Sequence, residues 1–187
     1  MRPYGNVLSC GLSAMNPVVH PAGVLLNAGP IEYTRGDFYF YEEGVTPAVC
    51  RLIYAVDRER LAVARALGVE LLPVDEAFHR AGFGPRGDLW AAINGSRMLT
   101  QLRAPGSLEG RWLTEDVPYG LAAWAELGAQ FGVSSPTMRA LVEVASAALG
   151  VDFGKAARTP HELGIAGMDK QELLEYLQNG TLASRGR

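Results

Sequence analysis

Cysteine is scarce in this 187-residue chain: Cys10 and Cys50 stand in no CxxC or Cys/His cluster. That spacing excludes a thiolate zinc site and a disulfide-dense secreted scaffold, and no metal ligand set is expected. Long apolar runs are missing as well, since stretches such as Val24 to Leu26 and Leu121 to Ala125 fall far short of the ~20 residues a membrane-spanning helix needs. No block of Lys and Arg occurs either. The 17 basic and 20 acidic residues are interspersed, for a net charge of −3, which argues against a phosphate backbone as partner. Met1 to Asn6 lacks the apolar stretch and cleavage site of a secretory signal. The expectation is therefore a cytoplasmic protein with two reduced thiols and with neither nucleic acid nor membrane as partner. The sequons at Asn94 and Asn179 then read as accidental.

What is present is the balance of an ordinary globular domain, 48% apolar and 20% charged. A chain of this size buries roughly 70% of its unfolded surface and needs no metal or disulfide to hold a core. Helix signals dominate. Thr46-Pro47 opens an apolar stripe that runs to Leu67 and stops at Gly68; Ser135-Pro136 opens another that runs to Leu149 and stops at Gly150. Thr159-Pro-His-Glu162 has capping-box spacing, and Asp169 starts a last helix ended by Asn179-Gly180. Thr114-Glu-Asp-Val-Pro118 reads as a helix N-terminus leading to about Phe131. Asn16-Pro17 reads as a cap and first position, with Pro21 and Gly23 predicting a break or kink beyond it. Asp37 to Tyr41 alone has strand-like composition, and one such segment cannot make a sheet. The fold class expected is all-α: one compact domain over residues 1–187 with about six to eight helices.

Gly82-Phe-Gly84-Pro-Arg-Gly87 has the spacing of a dinucleotide fingerprint. That mechanism needs a strand before the glycines and free N–H groups at a helix start. Here a polar amphipathic stretch, Asp75 to Ala81, precedes them and Pro85 removes a donor. The segment reads as a turn between helices.

Of the three histidines, His79 and His161 lie in polar settings and read as solvated side chains. His20 sits in the stiff, apolar Asn16-Pro-Val-Val-His20-Pro21, and from this segment alone it is either a hydrogen-bonded core histidine or an acid/base group. Arg111-Trp-Leu-Thr-Glu-Asp116-Val-Pro-Tyr119 sets a cation ahead of two acids. Acids in a first helical turn are explained by capping and the helix dipole. The nearby Arg, Trp and Tyr are not, because Arg grips carboxylates through paired hydrogen bonds and an ionised Asp orients a histidine.

Taken together, Asn16-Pro-Val-Val-His20-Pro, Leu26-Asn-Ala-Gly-Pro-Ile-Glu32, Phe40-Tyr-Glu-Glu-Gly-Val-Thr-Pro47, Asp57-Arg-Glu-Arg60 and Glu115-Asp-Val-Pro-Tyr-Gly-Leu121 resemble the C-terminal helical domain of the opine (octopine/nopaline) dehydrogenases over most of the chain. The resemblance implies an oxidoreductase that condenses an amino acid with an α-keto acid such as pyruvate and reduces the imine with NAD(P)H. It implies His20 and Asp116 as the catalytic pair and Arg111 as a substrate-contacting cation. Trp112 and Tyr119 would wall the substrate, and Asn16, Asn27 and Glu32 are weaker candidates. The family's N-terminal Rossmann domain, which binds NAD or NADP, is absent from these 187 residues, and no residue here is assigned to the nucleotide. A truncated protein, a separate Rossmann subunit and a relic are the three arrangements compatible with that absence. The last is the alternative reading, a non-enzymatic helical module for ligand binding or dimerisation, and self-association is an expected property of the domain in either case.

Overall fold

The structure, a computed structural model, describes residues 5–180. Of Met1 to Asn6, the expected arrival point of an interdomain connection, residues 1–4 lie outside them. Helix α1 (Val7–Leu12) opens under Asn6, whose side chain accepts from the Ser9 N–H at 2.9 Å. Helix α2 (Asn16–Leu26) carries Pro17 in its first turn, but its cap position falls to Met15, not to Asn16 as the sequence predicts. The break expected near Pro21 comes later. The helix continues through that proline and parts at Asn27, whose Nδ2 donates to the Gly23 and Gly44 carbonyls at 2.8 and 3.0 Å. An amide that bonds backbone carbonyls competes with helix continuation. Helix α3 (Ala28–Thr34) follows and ends on Arg35 and Gly36, both at positive φ.

The strand-like segment yields a single antiparallel bridge, Tyr39 with Arg103, and then winds into a π-helical turn, π1 (Phe40–Gly44). An isolated pair of extended segments buries too little to extend further. Helix α4 (Pro47–Leu67) has the predicted bounds, a Thr46 cap and Gly68 at φ 75°. Its buried Val49, Ile53, Val56, Val63, Ala64 and Leu67 recur at the spacing of one helical face.

Helices α5 (Val74–Arg80), α6 (Leu89–Asn94) and α7 (Arg97–Thr100) come next. The glycine triplet is the turn between α5 and α6, as expected. His79 is not solvated there: it is half-buried, with Nδ1 2.9 Å from the Gly84 carbonyl, to which it donates. His161 is exposed.

Thr114 closes a short helix, α8 (Arg111–Thr114), instead of starting one. The helix predicted from that point begins at a π-helical turn, π2 (Val117–Ala122), with Asp116 at its cap position and Pro118 in its first turn, and continues as α9 (Ala123–Gln130). Helix α10 (Pro136–Leu149) has the predicted bounds, yet Ser135 makes no capping bond. Glu59 of α4 does that work from outside, its two carboxylate oxygens accepting from the Thr137 and Met138 N–H groups at 2.8 and 2.9 Å. Helix α11 (Phe153–Ala156) is one turn. The Thr159–Glu162 capping box forms its hydrogen bonds, but only a turn follows, and Gly164 at φ 70° ends it. Helix α12 (Lys170–Asn179) has a complete capping box at Asp169. The described residues hold twelve α-helices, more than the six to eight expected, because five of them (α1, α6, α7, α8 and α11) are short helices of six residues or fewer.

Helix α2 is the axis of the molecule. Its residues from Pro17 to Val24 are all buried, and α4, α8, α10 and π2 pack around it. A second anchor is the fully buried Arg60, which donates to Asp57 Oδ1 at 2.8 and 2.6 Å, to the Leu12 carbonyl at 2.7 Å and to the Leu72 carbonyl at 2.7 Å. Asp57 Oδ2 in turn accepts from the Val74 N–H at 2.9 Å. Both charges are paired and hydrogen-bonded, which makes their burial tolerable. The pair ties the ends of α1 and α5 to α4. Among the described residues no helix is long and apolar enough to cross a membrane.

Candidate active site

His20 projects from the buried α2, and Asp116 stands at the cap of π2, 96 positions away in sequence. The two elements approach closely because Gly120 carries no side chain where it meets Pro17: a Cβ on Gly120 would stand 2.3 Å from the Cβ of Pro17. The outcome is a 2.8 Å hydrogen bond from His20 Nδ1 to Asp116 Oδ2, with side-chain exposures of 10% and 14%. An ionised carboxylate only accepts, so Nδ1 carries the proton and Nε2 the lone pair. The structure thus brings together the two residues predicted as catalytic.

Around this pair lies an aromatic shell. Trp112 of α8 stacks on the imidazole, with ring centroids 4.3 Å apart and planes within 9°. Phe40 meets Trp112 edge-on at 4.8 Å and Tyr41 edge-on at 5.1 Å. Gly23 admits that ring, since a Cβ there would lie 2.5 Å from Phe40 Cζ. The Tyr41 hydroxyl lies 3.1 Å from His20 Nε2. Burial, with the nearby negative charge of Asp116 adding to it, pushes the Tyr41 phenol up to about 12. Sequence reasoning missed Tyr41. Its aromatic run has strand-like composition, and nothing in residues 37–41 signals a π turn.

The remaining expected residues divide. Asn16, Asp116 and Tyr119 line an open cleft of about 380 Å³ together with Met15, Glu115 and Trp124. A neighbouring hollow of about 360 Å³ shares Tyr119 as a wall and is lined also by Arg158 and Glu162. The guanidinium of Arg158 sits 5.6 Å from the Tyr119 ring centre. Arg111 is exposed and paired with Glu115 at 3.2 Å. Asn27 holds backbone carbonyls, as noted, and Glu32 is exposed on α3. Asn94, in the first sequon, spends its amide nitrogen on the Tyr41 and Val45 carbonyls. Cys10 and Cys50 are both free. Among the described residues no three His, Cys, Asp or Glu side chains converge as a metal site. The Gly82–Gly87 turn, entered from a helix, gives a nucleotide phosphate no cradle.

Known proteins resemble this chain in sequence and in fold. The family model described as NAD/NADP octopine/nopaline dehydrogenase, alpha-helical domain, matches residues 3–149. An opine dehydrogenase of Arthrobacter sp. (strain 1C) is 34% identical over 163 residues, covering 87% of this chain and 45% of the relative. Protein ocs of Agrobacterium tumefaciens (strain Ach5) is 30% identical over 179 residues, covering 93% of this chain and 49% of its own length. The chain spans about half the length of the curated relatives it matches. Among solved structures, octopine dehydrogenase in complex with NADH and agmatine superposes with a TM-score of 0.71 at 21% identity, over 96% of this chain and 51% of the other. The complex of octopine dehydrogenase with NADH and L-arginine gives 0.67 at 20% identity, over 92% and 49%.

Proposed function

Because this chain belongs to the octopine/nopaline dehydrogenase family, matching its alpha-helical domain, we propose that it is the substrate-handling half of an enzyme that joins an amino acid to an α-keto acid. A nicotinamide nucleotide supplies the hydride that reduces the resulting imine. Among the described residues none builds a cradle for that nucleotide, and a Rossmann domain or subunit beyond these 187 residues holds it.

The chain's own part is proton transfer and substrate grip. When the amine has added to the keto carbon, the departing oxygen needs a proton; His20 gives it from Nε2 and, in reverse, takes one from an attacking water. Asp116 stabilises the imidazolium and fixes its orientation. Arg111 takes a substrate carboxylate. Its surface pair with Glu115 is worth only about 0–1 kcal/mol, so exchange for a bidentate substrate bond is cheap. Asn16, Trp112 and Tyr119 complete the substrate side. The free Cys10 and Cys50 suit a reducing cytoplasm.

The observation that carries this reading is the 2.8 Å bond between His20 and Asp116. Its test is NAD(P)H oxidation with pyruvate and a panel of amino acids, using the chain joined to or mixed with a Rossmann partner. The expected result is turnover that falls ~10²–10⁴-fold in His20→Ala. No turnover with any pairing, or a His20→Ala enzyme at full rate, would favour the non-enzymatic module instead.

A further inference from the structure

Joining an amino acid to an α-keto acid gives a product with two carboxylates, one on each side of a single nitrogen. Arg111 takes one of them in the reading above, on which this inference rests. We propose that Arg158 holds the other and so acts as a specificity-determining residue, selecting substrates that carry a carboxylate at that end.

The charges around the site narrow the choice to this residue. The two hollows that share Tyr119 are lined by three acids, Glu115, Asp116 and Glu162, and by one cation, Arg158. Without it a second substrate carboxylate would meet only negative side chains there. Each acid is already engaged. Glu115 pairs with Arg111 at 3.2 Å, Asp116 accepts from His20 Nδ1 at 2.8 Å, and Glu162 spends Oε2 on the Thr159 N–H at 3.0 Å. Among the described residues the Arg158 side chain therefore has neither an ion pair nor a hydrogen bond. Its five N–H donors form a planar fork that matches a carboxylate through two parallel bonds.

The head group is open, but the backbone that carries it is anchored. Helix α11 packs against π2, at whose cap Asp116 stands, and Phe153, Ala157 and Pro160 on either side of Arg158 are buried. The guanidinium lies 5.6 Å from the Tyr119 ring centre, a cation–π contact that places the charge without consuming the fork. Tyr119 also lines the cleft of Asp116, so Arg158 sits one side chain away from the catalytic pair's own cleft.

Steady-state kinetics of the enzyme paired with its nucleotide domain test this. Arg158→Gln should raise KM for pyruvate or for the amino acid about 10- to 100-fold and move kcat far less, because a charge-assisted bond to a non-reacting group is lost alike from ground and transition states. The substrate whose KM rises is the one whose carboxylate Arg158 holds. Arg158→Lys, which keeps the charge without the fork, should recover part of the loss. The methyl ester of that substrate, which lacks the negative charge, should bind alike to the parent and to Arg158→Gln; an ester that feels the substitution as strongly as the acid overturns the proposal. So do two unmoved KM values in Arg158→Gln, and where His20→Ala is inactive that result leaves the role of His20 standing. A fully active His20→Ala enzyme defeats instead the reading of the site, and the assignment of Arg158 falls with it.

Discussion

Gly120 rests on the ring of Pro17, with room for no more than hydrogen between them: a Cβ at 120 would lie 2.3 Å from Pro17 Cβ and 2.5 Å from its Cγ. Since Pro17 is three residues before His20 and Gly120 four after Asp116, this contact sets the separation of the pair.

Gly120→Ala should therefore push π2 from α2. Overpacking of this kind costs about 1–3 kcal/mol. The expected result is a lower urea midpoint together with loss of the slowly exchanging Nδ1 proton of His20, read by NMR. An alanine variant with both unchanged would show that the two elements are free to slide.

Asp116→Asn keeps the shape of the site but removes the charge that orients His20. Turnover of the paired enzyme should fall on the order of 10²–10⁴-fold. The same substitution should lower the titration of the Tyr41 phenol, because the Asp116 charge is one of the two causes that raise it. Tyrosine ring-carbon NMR across the alkaline range measures this.

Stability should decline in alkali in a defined window. Tyr41 ionises at about 12 folded against 10.0 unfolded, so between those values the folded state holds more protons and loses stability as pH rises. Its contribution is fully present below pH 10 and gone above about 12, a loss on the order of 2–3 kcal/mol. Cys50, pushed up to about 11 by burial and by Asp88, starts the decline earlier, above its ordinary 9.0. Denaturant melts of Tyr41→Phe and Cys50→Ala at a series of pH values should each flatten their own part of the slope.

Arg60→Met should be the most damaging single change away from the site. It leaves the Asp57 carboxylate buried without its cation and frees the Leu12 and Leu72 carbonyls, at a cost of about 3–5 kcal/mol. The double variant Arg60→Met/Asp57→Leu should recover part of that loss in equilibrium unfolding. A single variant as stable as the parent would remove the pair from the account of the fold.

The helices were legible where local chemistry decides them. Thr46-Pro47 with Gly68, and Asp169 with Gly180, set their boundaries through backbone groups within a few residues. Ser135 misled because the α10 cap comes from Glu59, far away in sequence, and no local pattern reports it. The same limit explains Tyr41 and the Asp57–Arg60 pair, whose meaning lies in contacts across the fold. His20 and Asp116 were paired through family resemblance, since spacing alone joins no residues so far apart. Arg111 carries the expected charge, but its direction is a rotamer choice that composition does not encode.

The π2 turn makes the length of its segment matter as much as its residues. An i→i+5 turn accommodates one residue more than an α turn, and each residue of an α-helix rotates the chain by about 100°. Shortening 117–122 by one residue would let the helix close regularly and swing Asp116 a quarter-turn or more away from the imidazole. A side-chain exchange in this stretch leaves the register of Asp116 in place, whereas an insertion or deletion would dismantle the site while leaving the hydrophobic pattern of α9 intact.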